Sequence, residues 1–404
     1  MQVRPSFPGG RPDVWNVPPR LAHFTGRADL LDQQLTDEGT VAVCALHGLG
    51  GIGKTALAVE YAHRHSHSYD LVWWIPTEDP QLIPGHVSTL GVHLGVHLGL
   101  PDGADWSAVL DVLRRERLRW LLILDNIGDR ALVGPFRPTD HFGRLLVTSR
   151  RAGLDGFGTQ IAVPELPRRD AVDLLTRRIP ALAPGTAGRI AQLLGDLPLA
   201  VEQAAGYLGE TGMPPDDYAQ LLRGRLGDML HRGWVPDRPG ITIANLWDLS
   251  LARLRADQPA AVGLLELCAA CAAEAIPLDL FSDNIDELPA GPLHDAAADP
   301  LAWADTVGAL VDYGLTRRDG PTLTVHRLTS AAVRTTMTPD QHTTTDATLI
   351  HLLRATLPAG IAGHPENWPR WRTVLPHLRT ALDRHSDQDG SDENLTRDPT
   401  TLTP

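Results

Sequence analysis

"HGLGGIGKTAL", residues 47–57, holds Lys54, and no other position of the 404-residue chain is lysine: every other one of its 36 basic residues is arginine. The bias toward Arg, Ala, Gly and Pro is that of a high-GC genome, in which arginine is the default cation. An ammonium is a compact point charge on a thin stem, whereas a guanidinium is a broad planar fork. A chain that keeps one lysine keeps it where the smaller head is needed. The surrounding "GLGGIGKT" (48–55) completes the pattern G-x-x-x-x-G-K-[ST] between a strand-like run and the helical "TALAVEYAHR". Gly48, Gly50, Gly51 and Gly53 let backbone amides turn inward and approach phosphate oxygens with no Cβ in the way. The helix start adds roughly half a positive charge against the same oxygens. In this reading Lys54 reaches the β- and γ-phosphates and Thr55 ligates Mg²⁺.

Further along, "WLLILDNIGD" (120–129) ends a run of five apolar residues on Asp125. The C-terminal end of a strand is where an open α/β sheet places its ligand chemistry, so Asp125 is the expected partner of Thr55 on Mg²⁺. Hydrolysis also calls for an acid that orients the attacking water, often directly after this Asp. Asn126 stands there, and an amide cannot take a proton. Asp129 is the alternative acid, one turn on. The expectation is an intact cradle with, at most, slow hydrolysis. A guanine-reading [NT]-K-x-D motif needs a lysine, and none is left, so adenine is the expected base.

Continuous apolar runs at 41–46 (VAVCAL), 71–76 (LVWWIP), 120–125 (WLLILD) and 144–149 (RLLVTS) alternate with helical stretches, the pattern of a parallel sheet covered by helices on both faces. Segment boundaries follow from composition. Residues 1–23 are a Pro- and Arg-rich extended arm, and 24–160 form the α/β P-loop domain. Residues 161–235 are helical. Residues 236–338 mix helices with a hairpin-like "YGLTRRDGPTLTVHRL". Residues 339–384 are again helical, and 385–404 are a polar, disordered tail.

Composition excludes several classes. No run approaches the ~18 apolar residues of a membrane span, and "MQVRPSFPGG" lacks the apolar core of a signal peptide. Three cysteines make no disulfide framework, which fits a reducing cytoplasm. A net charge of −13 opposes a protein that coats nucleic acid or anionic membrane. Cys268 and Cys271 read as parts of a buried Ala-rich helix, and the "HRHSHS" run (63–68), His93 and His97 as solvated faces.

The order "FTGR" (24–27), "GLGGIGKT", "LLILDN", "LLVTSR" (145–150), "LPLA" (197–200) and "VHRL" (325–328) resembles the NB-ARC branch of the STAND ATPases, over about residues 14–380. These are the switch modules of plant disease-resistance proteins, the apoptosome scaffold and many bacterial regulators. The resemblance implies a P-loop domain followed by a helical domain and a winged-helix domain. It implies a nucleotide-binding set of Arg27, Gly48, Gly50, Gly51, Ile52, Gly53, Lys54, Thr55 and Ala56, with Pro198 against adenine and His326 against the β-phosphate of ADP. Arg150 would sense the γ-phosphate and, with Lys54 and Asp125, complete the catalytic set. The chain departs from the family at Val325 (for Met), Arg327 (for Asp) and Asp196 (for Gly).

The function so implied is a signalling switch, closed with ADP and opening or oligomerising with ATP. The alternatives are a transcription regulator and a faster AAA-like ATPase. From Glu266 to Tyr313 the chain carries ten carboxylates and neither Lys nor Arg, a surface that repels a phosphate backbone. Residues 339–384 resemble the start of a tetratricopeptide array, "WPRWRTVLPHLRTAL" (368–382) being like its lead-in helices. A face of Trp368, Trp371, Leu375 and Leu378 is expected to stay uncovered and to bind a protein partner, a separate sensor or effector, or another copy of the chain.

Overall fold

Parallel strands buried on both faces need side chains that tolerate no water on either side, and the apolar runs supply them. The computed structural model describes residues 12–31, 43–96, 106–150, 153, 154, 156–233, 242–358 and 364–395. The chain divides into two units: residues 1–222 with 232–243, and residues 223–231 with 244–404.

The first unit begins with β1 (Val14–Trp15), β2 (Val43–His47), α1 (Lys54–Arg64), β3 (Leu71–Pro76), α2 (Ile83–His93) and α3 (Trp106–Arg115). It continues with β4 (Trp120–Ile127), β5 (Gly143–Ser149) and β6 (Thr159–Ala162), then α4 (Arg168–Arg178), α5 (Pro184–Leu193), α6 (Pro198–Thr211) and α7 (Pro215–Gly224). Six strands pair in the order β1-β3-β4-β5-β2-β6, and every pairing is parallel. Trp73, Ile75, Leu122, Leu124, Leu145 and Val147 form one buried layer with Val87 and Leu90 of α2 and Trp106 and Val109 of α3. Helix α1 packs on β4 and β5 and buries Leu57, Ala58 and Tyr61.

The stretch expected as an arm does more than extend. Within residues 12–20, β1 adds an edge strand to the sheet, and the Asn16 side chain accepts from Trp74 N–H at 2.6 Å and donates to Trp74 O at 2.9 Å. Arg20 grips Glu60 of α1 with Nε at 2.8 Å and Nη2 at 2.6 Å. His63, read as part of a solvated run, instead contacts this stretch: Nε2 lies 2.9 Å from Pro18 O and its ring meets Trp15 edge-on. Residues 1–11, the first two residues of the 41–46 run and His97 lie outside the described residues.

Helix α4 packs against both α5 and α6. Asp196, in the turn before α6, sits at φ 56° and pairs with Arg168, whose Nη2 is 2.7 Å from Oδ2. A left-handed backbone of this kind favours glycine. Aspartate is one of the few residues that also tolerates it.

The second unit contains α8 (Leu226–Leu230), α9 (Ile243–Asp257), α10 (Pro259–Ala270), β7 (Ile276–Pro277), α11 (Asp279–Ser282), α12 (Pro292–Ala298) and α13 (Pro300–Asp312). After these come β8 (Thr316–Asp319), β9 (Thr322–Val325), α14 (Arg327–Thr335), α15 (Pro339–Thr356) and α16 (Trp368–Leu395). The hairpin lies where its turn sequence places it, with Gly320 at φ 54°, and β7 completes an antiparallel sheet of order β7-β9-β8. Helix α10 packs against α12, α13, α14 and α15. Cys268 and Cys271 are buried there as free thiols, and burial pushes Cys271 up to about 12.

Helix α16 corrects two expectations. Its backbone continues to Leu395, so residues 385–395, expected in the polar tail, are helical, and 396–404 lie outside the described residues. It seats Val374, His377 and Ala381, spaced three and four apart, inside the unit. Of the face expected to be bare, Trp368 is exposed, whereas Trp371, Leu375 and Leu378 are half-buried. Arg370 clamps both carboxylate oxygens of Asp279, at 2.9 and 3.0 Å.

Candidate functional site

The site is built where β2 stops. After His47 the chain turns through the glycine loop into α1, capped by Gly53 at φ 90°. The loop's carbonyls are held from outside the turn. Lys54 Nζ donates to Gly48 O at 2.7 Å and Leu49 O at 2.8 Å. Leu199 N–H donates to Gly51 O at 3.3 Å, and Arg27 Nη2 donates to Ile52 O at 2.6 Å and Pro164 O at 2.9 Å. Two glycines are required by these neighbours. A Cβ on Gly51 (φ +79°) would lie 3.2 Å from Leu199 Cβ, and one on Gly53 would lie 3.0 Å from Arg27 Nη1 and 3.8 Å from Pro198 Cγ. The loop, Arg27 and the first turn of α6 are therefore in direct contact.

Lys54 is buried, and its ammonium is lowered to about 7 by burial first, then by Arg150, with Arg27 adding to the fall and Asp125 opposing it. Burial also lowers Arg27 to about 10. A crowd of cations around the one lysine is an environment made for anions: each positive charge raises the potential that draws phosphate in.

Opposite the loop, Asp125 lies near the C-terminal end of β4. Thr55 Oγ1 donates to Asp125 Oδ1 at 2.8 Å across a sequence separation of 70 residues. These hard oxygens suit a small divalent cation such as Mg²⁺, which takes oxygen ligands and is usually held through one or two carboxylates together with phosphate. Sequence reading missed three residues here. Thr148 Oγ1 donates to the same Oδ1 at 2.6 Å. Thr77 donates twice to the Asp125 carbonyl, from N–H at 2.9 Å and Oγ1 at 2.8 Å. His47 is held below its ordinary range by burial and by Lys54. The run "LLVTSR" had drawn attention to Arg150 alone. A hydroxyl two residues before it, on a strand that must pair beside β4, was the available signal for Thr148.

The first unit thus brings together Arg27, Gly48, Gly50, Gly51, Ile52, Gly53, Lys54, Thr55, Ala56, Asp125 and Pro198, with Arg150 near enough to act on the Lys54 charge. His326 belongs to the second unit, where it caps α14: its Nδ1 accepts from Leu328 N–H at 3.2 Å. No described helix is long and apolar enough to cross a membrane.

Residues 25–176 match the NB-ARC domain model. A regulatory protein AfsR of Streptomyces griseus is 28% identical over 328 residues, covering 76% of this chain and 31% of that protein. A nucleotide-binding leucine-rich repeat (NLR)-like protein of Hyaloscypha variabilis is 24% identical over 247 residues, 50% of this chain and 25% of its own length. The chain spans under a third of the length of these relatives. Among solved structures, a Walker-type ATPase of Pyrococcus abyssi superposes with a TM-score of 0.54 at 12% identity, covering 76% of this chain and 95% of that one. That likeness is one of fold.

Proposed function

The chain belongs to the NB-ARC proteins of the STAND class through residues 25–176, and from that premise we propose that it is an adenine-nucleotide-dependent signalling switch. In this reading it is closed with ADP and opens or oligomerises with ATP. The observation that carries the proposal is the hydrogen bond from Leu199 N–H to Gly51 O, beside the contact of Pro198 with Gly53. It joins the phosphate loop to the helical segment, so whatever fills the loop bears on how that segment is held.

The residue roles follow. The loop amides and Lys54 hold phosphate, Thr55 and Asp125 hold Mg²⁺, and Pro198 covers adenine. Arg150 responds to the γ-phosphate. We read the second unit as a winged helix followed by helices α15 and α16. Asn126, where a base is expected, supports hydrolysis far below the ~10 s⁻¹ of a median enzyme, on the order of one turnover per minute or slower. Steady-state turnover above about 1 s⁻¹ would favour the faster ATPase reading instead.

The nucleotide released on denaturing purified protein tests the switch. ADP near one per chain is the expected result; an empty or GTP-filled protein overturns it. A second reading, a transcription regulator, draws on the regulatory relatives. The lysine- and arginine-free stretch from Glu266 to Tyr313 opposes it. A gel shift with duplex DNA at low salt separates the two.

A further inference from the structure

Beyond holding nucleotide, the site contains a support for the cation-binding carboxylate that is built from the neighbouring strand. Strand β4 leaves its ladder with β5 between Leu124 and Ile127. Inside that irregularity Asn126 adopts φ 63°, a left-handed backbone that asparagine tolerates better than most non-glycine residues. A strand that breaks register loses its ladder bonds, and buried backbone groups must find other partners. The last two residues of β5 provide them. Thr148 Oγ1 accepts from Asn126 N–H at 2.8 Å, and Ser149 Oγ donates to Ile127 O at 3.1 Å. Both side chains are 1% exposed.

Because the Thr148 oxygen accepts from Asn126, its own proton is directed to Asp125 Oδ1, at 2.6 Å. That distance belongs to a charge-assisted bond, about twice as strong as a neutral one. Two hydroxyls thus meet on Oδ1, and they stand on different supports. Thr55 is on α1, at the mouth of the glycine loop. Thr148 is inside the sheet, with its neighbour Val147 buried and paired to Ala45 of β2. Whichever way the Thr55 hydroxyl is turned, Thr148 keeps its hold on the carboxylate.

We propose that Thr148, with Ser149, is a positioning residue: it aims the Asp125 carboxylate and thereby sets how strongly a divalent cation tightens nucleotide binding. This rests on the nucleotide-binding reading above. Partners that orient a ligating group commonly change metal affinity by about 10- to 100-fold when removed.

Calorimetry with ADP, in excess EDTA and in Mg²⁺, tests it on the full chain. Thr148→Val keeps the shape and removes the hydroxyl. It is expected to leave the affinity in EDTA unchanged and to cut the Mg²⁺-dependent gain by about tenfold or more. Thr148→Ser keeps the hydroxyl and should restore most of that gain. Mn²⁺ titration of the ADP complex followed by electron paramagnetic resonance reads the same loss directly. Should Thr148→Val misfold, Thr148→Ser and Ser149→Ala decide. A Ser variant that folds but behaves without its cation gain, or a Ser149→Ala variant with the full gain, overturns the proposal. A folded Thr148→Val variant with the full gain, or with an equal loss in EDTA, also overturns it. A wild type that binds no nucleotide in either condition overturns the nucleotide reading as well, which separates the two failures.

Discussion

Leu199, at the start of α6, donates its backbone N–H to the carbonyl of Gly51 inside the phosphate loop, at 3.3 Å. One peptide group of the loop is therefore tied to the helical segment. Gly51→Ala would force a Cβ to 3.2 Å from Leu199 Cβ and Cδ2, at a φ of +79°. The left-handed backbone alone costs roughly 1–2 kcal/mol with a Cβ present. The variant should melt several degrees lower and release a fluorescent ADP analogue faster, since the loop and α6 can no longer close on each other. Stopped-flow displacement measures the release; an unchanged rate would show that this junction does not hold the ligand.

Lys54 carries the pH dependence. Its ammonium sits at about 7 because burial and Arg150 disfavour the charge. Phosphate beside it favours the charged form, so binding draws in a proton wherever Lys54 is not already protonated. Affinity for ADP should therefore fall as pH rises above about 7, approaching tenfold per pH unit, one proton's worth of linkage. Calorimetry at pH 8 in buffers of different ionisation enthalpy should register proton uptake, and Lys54→Met should abolish it. Lys54→Arg remains charged but brings a guanidinium into a buried space bounded by Gly48 O and Leu49 O. It should lose binding nearly as fully as Lys54→Ala.

Glu60 fastens residues 12–20 to α1. Burial pushes its carboxyl up, but hydrogen bonds and charges from Arg20 and Arg64 outweigh burial and leave it below its ordinary value. A carboxyl held low in the folded protein stabilises it above the unfolded pKa and loses that contribution as pH falls through the folded one. Glu60→Gln should lower the melting temperature at pH 7, with the gap to wild type closing below about pH 4. Limited proteolysis should also cut the variant faster near Arg20. A gap that stays constant with pH would exclude the ion pairs as its cause.

Asp346, on α15, is 2% exposed and faces two guanidiniums, with Arg334 Nη1 at 3.4 Å and Arg384 Nη1 at 4.0 Å. Arg384 also donates to Ala270 O at the end of α10, which ties α16 to the interior of the second unit. Removing the shared carboxylate leaves two cations facing each other, and breaking a buried pair in this way costs about 3–5 kcal/mol. Asp346→Ala should shift chemical denaturation by that order. Arg384→Ala, which leaves Asp346 with Arg334, should shift it less. Equal effects would mean that the carboxylate is not shared.

The sheet was legible because its strands are buried on both faces and therefore apolar throughout: the runs at 71–76, 120–125 and 144–149 lie within or coincide with β3, β4 and β5. The glycine loop and Asp125 were legible because phosphate chemistry fixes both residue type and spacing. What escaped depends on partners distant in the chain. Val14 and Trp15 form a strand only because β3 offers a free edge, and a two-residue strand leaves no period to read. The function of Thr148 exists only once β4 and β5 are paired. The half-covered state of Trp371 depends on which stripe of α16 turns inward, and Trp368–Leu378 offers two competing stripes. Asp125 announced itself by its place in a pattern; the residues that hold it did not.

The strand order also dictates a sequence of events during synthesis. Strand β2 lies between β5 and β6, and its first partner, Leu145 opposite Val43, leaves the ribosome roughly a hundred residues after it. Strands β3 and β4 can zip together well before then, and closing the longer loop carries a larger entropic toll. The glycine loop hangs from β2, so it is locked into the sheet only after its neighbours have assembled. Until β5 is made, β2 has no partner in the sheet, and the loop it carries has no fixed place beside Asp125.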